Sequence, residues 1–153
     1  NLSGRTLVDK TLVADVKKPL QKHQLPGDCV TFEITETTAI TNIDVAKRLI
    51  TGLKEYGCKF ALDDFGSGFS SFGHLKHLDV DYVKIDGLFT QGVLTDSMDR
   101  AVVQSINDIA HSFGKYTVAE YVDNREILRV LRETGVDYAQ GYFISKPREQ
   151  LGF

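Results

Sequence analysis

The chain has 153 residues, 42% apolar and 25% charged, and a formal net charge of -3. A chain of this size can bury a real core as one ordinary domain, and its composition is that of a soluble globular protein. The slightly acidic balance excludes a general attraction to nucleic acid polymers or anionic lipid, and no apolar run approaches the roughly 20 residues of a membrane span.

The first residues, "NLSGRTLVDK", start without Met at what reads as the end of a strand turning into a helix. The sequence is therefore expected to be cut from something longer, and it carries no signal-peptide pattern. A first helix is expected over residues 6–24, with Pro19 tolerated only as a kink or break. Five β-rich runs follow: "CVTFEI" at 29–34, "KFALD" at 59–63, "YVKID" at 82–86, "YTVAE" at 116–120 and "YAQGYFI" at 138–144. Val, Ile, Phe and Tyr dominate them, as buried parallel strands require.

Between these runs lie amphipathic stretches. Residues 43–57 place Val45, Leu49, Ile50 and Leu53 on one helical face and end in Gly57. Residues 96–114 line up Ala101, Val102, Ser105, Ile109 and Phe113, closing at Gly114. Residues 124–135 start at Asn124, a natural N-cap, and turn Ile127, Leu128 and Leu131 inward. Cys29 and Cys58 follow no metal-ligand or disulfide spacing and abut apolar runs, so both are expected as buried free thiols of a reducing compartment, the cytoplasm. The alternation of strand and helix predicts one α/β unit, a parallel sheet covered by helices.

The polar residues fall in a pattern. Each strand run carries one near its C-terminal end: Glu33, Asp63 with Asp64, Lys84, Glu120 and Gln140. In a closed (β/α) barrel those ends converge on the face that holds the active site. Glu33 is either an exposed edge residue or a metal ligand, and its apolar flanks favour ligation. Glu36 has two readings, a helix N-terminal charge and a loop anchor. Asp63 and Asp64 would point to opposite faces of a straight strand, so a bend is needed for both to reach a pair of metals; alternatively Asp64 caps a turn. Lys84 inside a buried strand needs a partner and could polarise a water or meet a phosphate oxygen. Asp86 could be only its salt partner, and Gln140 either a satisfied core amide or a ligand contact. His74 and His77 share a helical face, but Leu75 and Leu78 make better core candidates there. "GSG" at 66–68 reads as a loop over the site without nucleotide-loop spacing.

With these residues in place, the sequence resembles the EAL family of bacterial cyclic di-GMP phosphodiesterases. "NLS", "FEITET", "DDFGSGFSS", "LKHLDVDYVKIDG", "VAEYVD" and "AQGYFISKP" occur in that family's order and spacing over almost the whole chain. The resemblance implies a modified TIM barrel, incomplete at its N-terminus with about five of eight strands visible, that hydrolyses cyclic di-GMP to a linear diguanylate using Mg²⁺ or Mn²⁺ in a two-metal site. On that footing residues 1–153 are an N-terminally truncated EAL domain. Asn1, Glu33 and Asp63 resemble metal ligands, Asp64 a ligand of the second metal, and Lys84 the lysine near the catalytic water. Glu120 resembles a glutamate that helps bind metal, Gln140 a supporting glutamine, and Glu36 the anchor of the "DDFG" loop. That loop also implies a homodimer through the segment after Asp64, and fused sensory or cyclase domains are expected in the parent protein.

The chemistry agrees. In-line attack on a phosphodiester places negative charge on attacking and leaving oxygens, and two hard cations stabilise both while lowering the pKa of water. Oxygen ligands suit Mg²⁺ and Mn²⁺, and the lack of a His or Cys cluster argues against zinc. Two features depart from the family pattern. The glutamate of the motif that names the family would lie before Asn1, and "AEYVD" replaces the usual "AEGVE". Tyr121 thus stands for Gly, and Asp123, a further supporting carboxylate, is one methylene shorter than the usual Glu, so its contact would need a bridging water. The rival expectation is a domain that binds cyclic di-GMP, or only dimerises, without turnover. A distant third is a barrel enzyme using Lys84 as a Schiff-base nucleophile.

Overall fold

Apolar strands that are buried on both faces must be covered by helices, and the chain meets this demand in the computed structural model, which describes residues 1–67 and 72–147. Two short N-terminal helices, α1 (Gly4–Leu7) and α2 (Leu12–Lys22), precede strand β1 (Thr31–Thr35). Then come α3 (Glu36–Thr41), α4 (Ile43–Lys54), β2 (Lys59–Phe65) and α5 (Phe72–Leu75). The remainder is β3 (Tyr82–Ile85), α6 (Gly87–Gly92), α7 (Ser97–Ser112), β4 (Tyr116–Ala119), α8 (Arg125–Thr134) and β5 (Tyr138–Ala139). The five strands lie side by side in sequence order, all parallel, which is part of a TIM-like (β/α) barrel. Leu2 bridges to Ile34 on the free edge of β1, and its N–H donates to the Glu33 carbonyl at 2.7 Å. Asn1, exposed, therefore lies at the same end of the sheet as Glu33.

The core sits between the sheet and the helices, with Phe60, Leu62, Val83 and Ile85 at its centre and Ala46, Ile50, Leu53, Val103, Ile106 and Leu131 facing them. The opposite face is concave. Thr31 and Glu33, Tyr82 and Lys84, and Tyr138 and Gln140 line one cavity of about 270 Å³ there, each pair two residues apart as alternation on a strand dictates. At its far end Tyr82, Tyr116 and Tyr138, from three adjacent strands, pack edge-to-face or tilted at 5.9–6.1 Å between centroids.

Several elements differ from the sequence expectation, each for a local reason. The first helix is broken at residues 8–11, where the Asp9 carboxylate accepts the Thr11 N–H at 2.8 Å and starts a second helix, while Pro19 sits inside that helix. The inward face of α7 is Val103, Ile106, Asn107 and Ala110; of the expected residues Val102 and Ile109 pack half-buried against the core, while Ala101 and Ser105 are exposed and Phe113 is 38% exposed. Asn107 can face inward because its amide oxygen lies 2.6 Å from the Thr117 hydroxyl and its NH₂ donates to the Thr134 carbonyl. β5 ends at Ala139 rather than 144: Gly141 lies so close to Val122 that a Cβ would come within 2.3 Å of its backbone, and the chain turns away. Cys58 is buried as expected, but Cys29, in a single 3₁₀ turn before β1, is exposed. α8 has the expected ends, with Asn124 accepting the Ile127 N–H at 2.8 Å and Gly135 at φ +86° closing it, and it buries Ile127, Val130 and Leu131 with Leu128 half-buried.

Below the sheet a polar network joins α7, β4 and β5. Asp137 accepts from the Thr117 N–H at 2.7 Å and from His111 Nε2 at 2.8 Å. Burial pushes its carboxyl up, but these bonds outweigh burial and hold it below the usual range. A group so lowered stabilises the fold above its unfolded pKa and loses that contribution as pH falls through the folded one. Asp137→Asn is expected to lower Tm by roughly 2–4 °C at pH 7, with the difference from wild type vanishing in melts at acidic pH below the carboxylate range.

Candidate active site

The rim at the C-terminal ends of the strands is built around one ammonium. Lys84 points from β3 with its side chain 5% exposed, and its Nζ lies 2.8 Å from Asp63, 2.8 Å from Glu120 and 3.1 Å from Glu33. Parallel register makes this meeting possible: Thr35 pairs with Asp63, and Lys84 with Val118, two residues before Glu120. Burial alone would push Lys84 down, yet the bonds to Asp63 and Glu120 outweigh it and hold the ammonium well above its usual range. Three carboxylates at 2.8–3.1 Å favour the charged form over the free amine that a Schiff-base lysine requires.

The bend that Asp63 and Asp64 needed is present. Between the pairs Leu62–Val83 and Phe65–Ile85 the register shifts, with two residues on β2 opposite one on β3, and Asp64 takes φ +55°. This is a β-bulge, and Asp is among the few residue types that tolerate the left-handed region. The bulge brings carboxylate oxygens of Asp63, Asp64 and Glu120 within 4.8 Å of one another. Burial, and then the neighbouring Asp63 and Asp86 charges, push Asp64 up; burial likewise pushes Glu120 up against the opposing pull of Lys84. Three carboxylates thus face one ammonium, with Asp64 beside them. A donor set of clustered, partly buried carboxylate oxygens fits hard divalent cations.

The other expected residues fall around this centre. Glu36 opens α3, is 4% exposed, and accepts the Gly66 N–H at 3.4 Å, so both of its sequence readings describe one residue. Gly66 itself has φ +99°, and a Cβ there would meet Ile106 at 2.9 Å and Phe89 at 3.0 Å, so the loop base has no room for a side chain. The expected dimer segment after Asp64 includes residues 68–71, which lie outside the described residues. Asp86 is no partner of Lys84; it caps α6, accepting the Leu88 N–H at 2.8 Å. Among the described residues the turn after Asp64 is closed by the Ser67 hydroxyl, which donates to the Asp64 backbone carbonyl at 2.9 Å.

Beside the carboxylates lies a cavity of about 450 Å³ lined by Glu120, Tyr121, Asp123, Gln140, Gly141 and Tyr142. Gln140 is exposed and borders both this cavity and the concave face of the sheet, so it is no core amide. Asp123 stands outside the carboxylate cluster and accepts from Gln91 Nε2 at 3.2 Å. The walls contributed by Tyr121 and Tyr142 were not foreseen. The signals available were a bulky residue in place of glycine at 121 and an aromatic directly after Gln140-Gly141. Leu75 and Leu78 are buried, as expected, and neither His74 nor His77 joins a metal-competent group among the described residues. No helix among those residues is long and apolar enough to cross a membrane.

Comparison with known proteins agrees with this geometry. The family model described as "EAL domain" matches residues 1–147. The chain is 47% identical over 148 residues to the cyclic di-GMP phosphodiesterase PdeB of Shewanella oneidensis, covering 97% of this chain and 17% of that protein. It is 38% identical over 148 residues to the cyclic di-GMP phosphodiesterase PdeF of Escherichia coli, covering 97% of this chain and 20% of that protein. The chain thus spans about one fifth of the length of these curated relatives. Among solved structures, the PaMucR phosphodiesterase in complex with c-di-GMP superposes with a TM-score of 0.90 at 31% identity, over 96% of this chain and 60% of that one. The FimX EAL domain from Pseudomonas aeruginosa bound to c-di-GMP gives 0.91 at 30% identity, over 97% and 61%. The chain belongs to the EAL domain family.

Proposed function

We propose that this chain supplies most of the site of a divalent-metal-dependent phosphodiesterase that opens cyclic di-GMP to a linear diguanylate. The observation that carries the reading is the convergence of Asp63, Asp64 and Glu120 within 4.8 Å, with Lys84 ion-paired to Glu33, Asp63 and Glu120. Relatives named cyclic di-GMP phosphodiesterases and a neighbour solved with c-di-GMP support the substrate. Asn1, Glu33, Asp63 and Glu120 would hold one Mg²⁺ or Mn²⁺, and Asp63 with Asp64 a second. When bound, such cations supply Lewis-acid neutralisation of the phosphodiester oxygens and favour ionisation of water.

The protein's own groups do the rest. Lys84, held positive, donates to the attacking water or to a phosphate oxygen and cannot serve as base. Glu120, 2.8 Å from Lys84, helps hold the cation and orients the attacking water together with that ammonium, and the water's proton leaves to solvent. Asp64 stands ready at the leaving oxygen. Glu36 holds the loop after Asp64 through Gly66, Gln140 orients the substrate from the cavity wall, and Asp123 reaches it through a water. The proposal extends to a homodimer formed through the segment after Asp64, to sensory or cyclase domains in the parent protein, and to action in the cytoplasm.

The test is incubation of the full-length protein with cyclic di-GMP in Mg²⁺, Mn²⁺ or a chelator, with products separated by chromatography. Linear diguanylate is expected only where a cation is present. Calorimetric binding without product would identify a receptor instead, and neither binding nor product would remove the reading.

A further inference from the structure

Tyr121 combines features that ordinary packing does not explain. Its φ is +52°, in the left-handed region that an aromatic residue enters only at a cost. The strain is not offset by burying the ring, because the residue is 61% exposed. What the ring does touch is Gly87, at the start of α6 just beyond β3: a Cβ there would come within 2.2 Å of Tyr121 Cδ2. The absence of a side chain at Gly87 therefore lets the Tyr121 ring lie against the backbone. Its exposed part borders the 450 Å³ cavity, next to Glu120 and with Tyr142, 66% exposed, on the same wall.

A solvent-exposed phenol, seated on a glycine beside a charged site, suits a flat, electron-rich ligand. The rest of the wall suits one with a hydrogen-bonding edge, since Asp123 accepts and the Gln140 amide both accepts and donates. We infer that Tyr121 is a specificity-determining residue, the platform on which one purine base of the cyclic dinucleotide rests while the adjoining phosphodiester reaches Glu120 and Asp63. The inference rests on the phosphodiesterase reading above. It assigns the strain to ligand recognition, because a glycine would adopt the same backbone without cost.

That last point makes the test clean. Tyr121→Gly keeps the backbone conformation and removes only the ring, and Tyr121→Phe keeps the ring and removes the hydroxyl. Steady-state kinetics of the full-length protein on cyclic di-GMP, with melting curves for each variant, are the measurement. Tyr121→Gly is expected to melt no lower than wild type and to raise KM about tenfold with kcat unchanged, as loss of one base–aromatic stack requires; Tyr121→Phe keeps the wild-type KM. Turnover by wild type with an unaltered KM in Tyr121→Gly overturns the assignment and leaves the phosphodiesterase reading standing. A fall in kcat at constant KM also overturns it, placing Tyr121 in the alignment of Glu120. If wild type does not turn over cyclic di-GMP, the functional reading fails, and this assignment goes with it.

Discussion

Asp63→Asn in the full-length protein is expected to lower kcat/KM for cyclic di-GMP by more than a hundredfold while the fold persists. Asp63 lies at the crossing of both interactions that define the rim. One of its oxygens is 2.8 Å from Lys84 Nζ, and its carboxylate belongs to the cluster with Asp64 and Glu120. The amide has nearly the same shape but carries no charge, so it is a poor ligand for a hard cation. Partners that merely orient metal ligands typically cost about 10–100-fold when removed, and a direct ligand costs more. Stability responds differently. Lys84 keeps Glu33 and Glu120 as partners, and one charge leaves a crowded carboxylate set, so Tm stays near that of wild type. Rates for the two proteins at saturating Mn²⁺, paired with melting curves, check the prediction. Equal kcat/KM would end the metal role of Asp63.

Lys84→Met is expected to have the largest effect on folding. The ammonium is almost fully enclosed and is the cation that faces Glu33, Asp63 and Glu120 at hydrogen-bonding distance. Methionine fills similar space but leaves these carboxylates to face one another in a poorly hydrated site. Removing one partner of a buried ionic group typically destabilises by about 3–5 kcal/mol, a large share of the stability of an ordinary domain. The loss depends on pH with a definite sign. Glu120 is already pushed up by burial and rises further once Lys84 is gone, so the variant gains protons as pH falls and regains stability relative to wild type. Added Mn²⁺ replaces part of the missing charge and stabilises the variant by mass action. Urea unfolding at pH 7 and pH 5, with and without Mn²⁺, measures these effects. A variant as stable as wild type at pH 7 without cation would show that the carboxylates do not depend on Lys84.

The strand and helix order was legible because burial on two faces leaves a strong mark: β1 to β4 fall within a few residues of the expected runs. The rim was legible for a related reason. A charge such as Lys84 between Val83 and Ile85 makes physical sense only where partners meet it, and parallel register then names the neighbours. Less legible was whatever depended on a single close approach. The end of β5 is set by Gly141 against Val122, and the inward face of α7 by an Asn107 that finds its partners 10 and 27 residues away. Periodicity cannot assign a buried amide whose partners lie on other elements. The left-handed backbone of Tyr121 was hidden for a third reason, since its residue type argues against the conformation it adopts. Replacement of a glycine at that point was the one visible trace.

The central claim is that distant carboxylates gather to hold divalent cations, and anomalous diffraction from crystals of the full-length protein soaked in Mn²⁺ tests it most directly. The expected result is strong anomalous density within about 2.0–2.6 Å of carboxylate oxygens of Asp63, Asp64 and Glu120, with Glu33 turned to the same centre. Density bound elsewhere on the protein, or Glu33 and Asp63 directed to separate regions, would contradict the account.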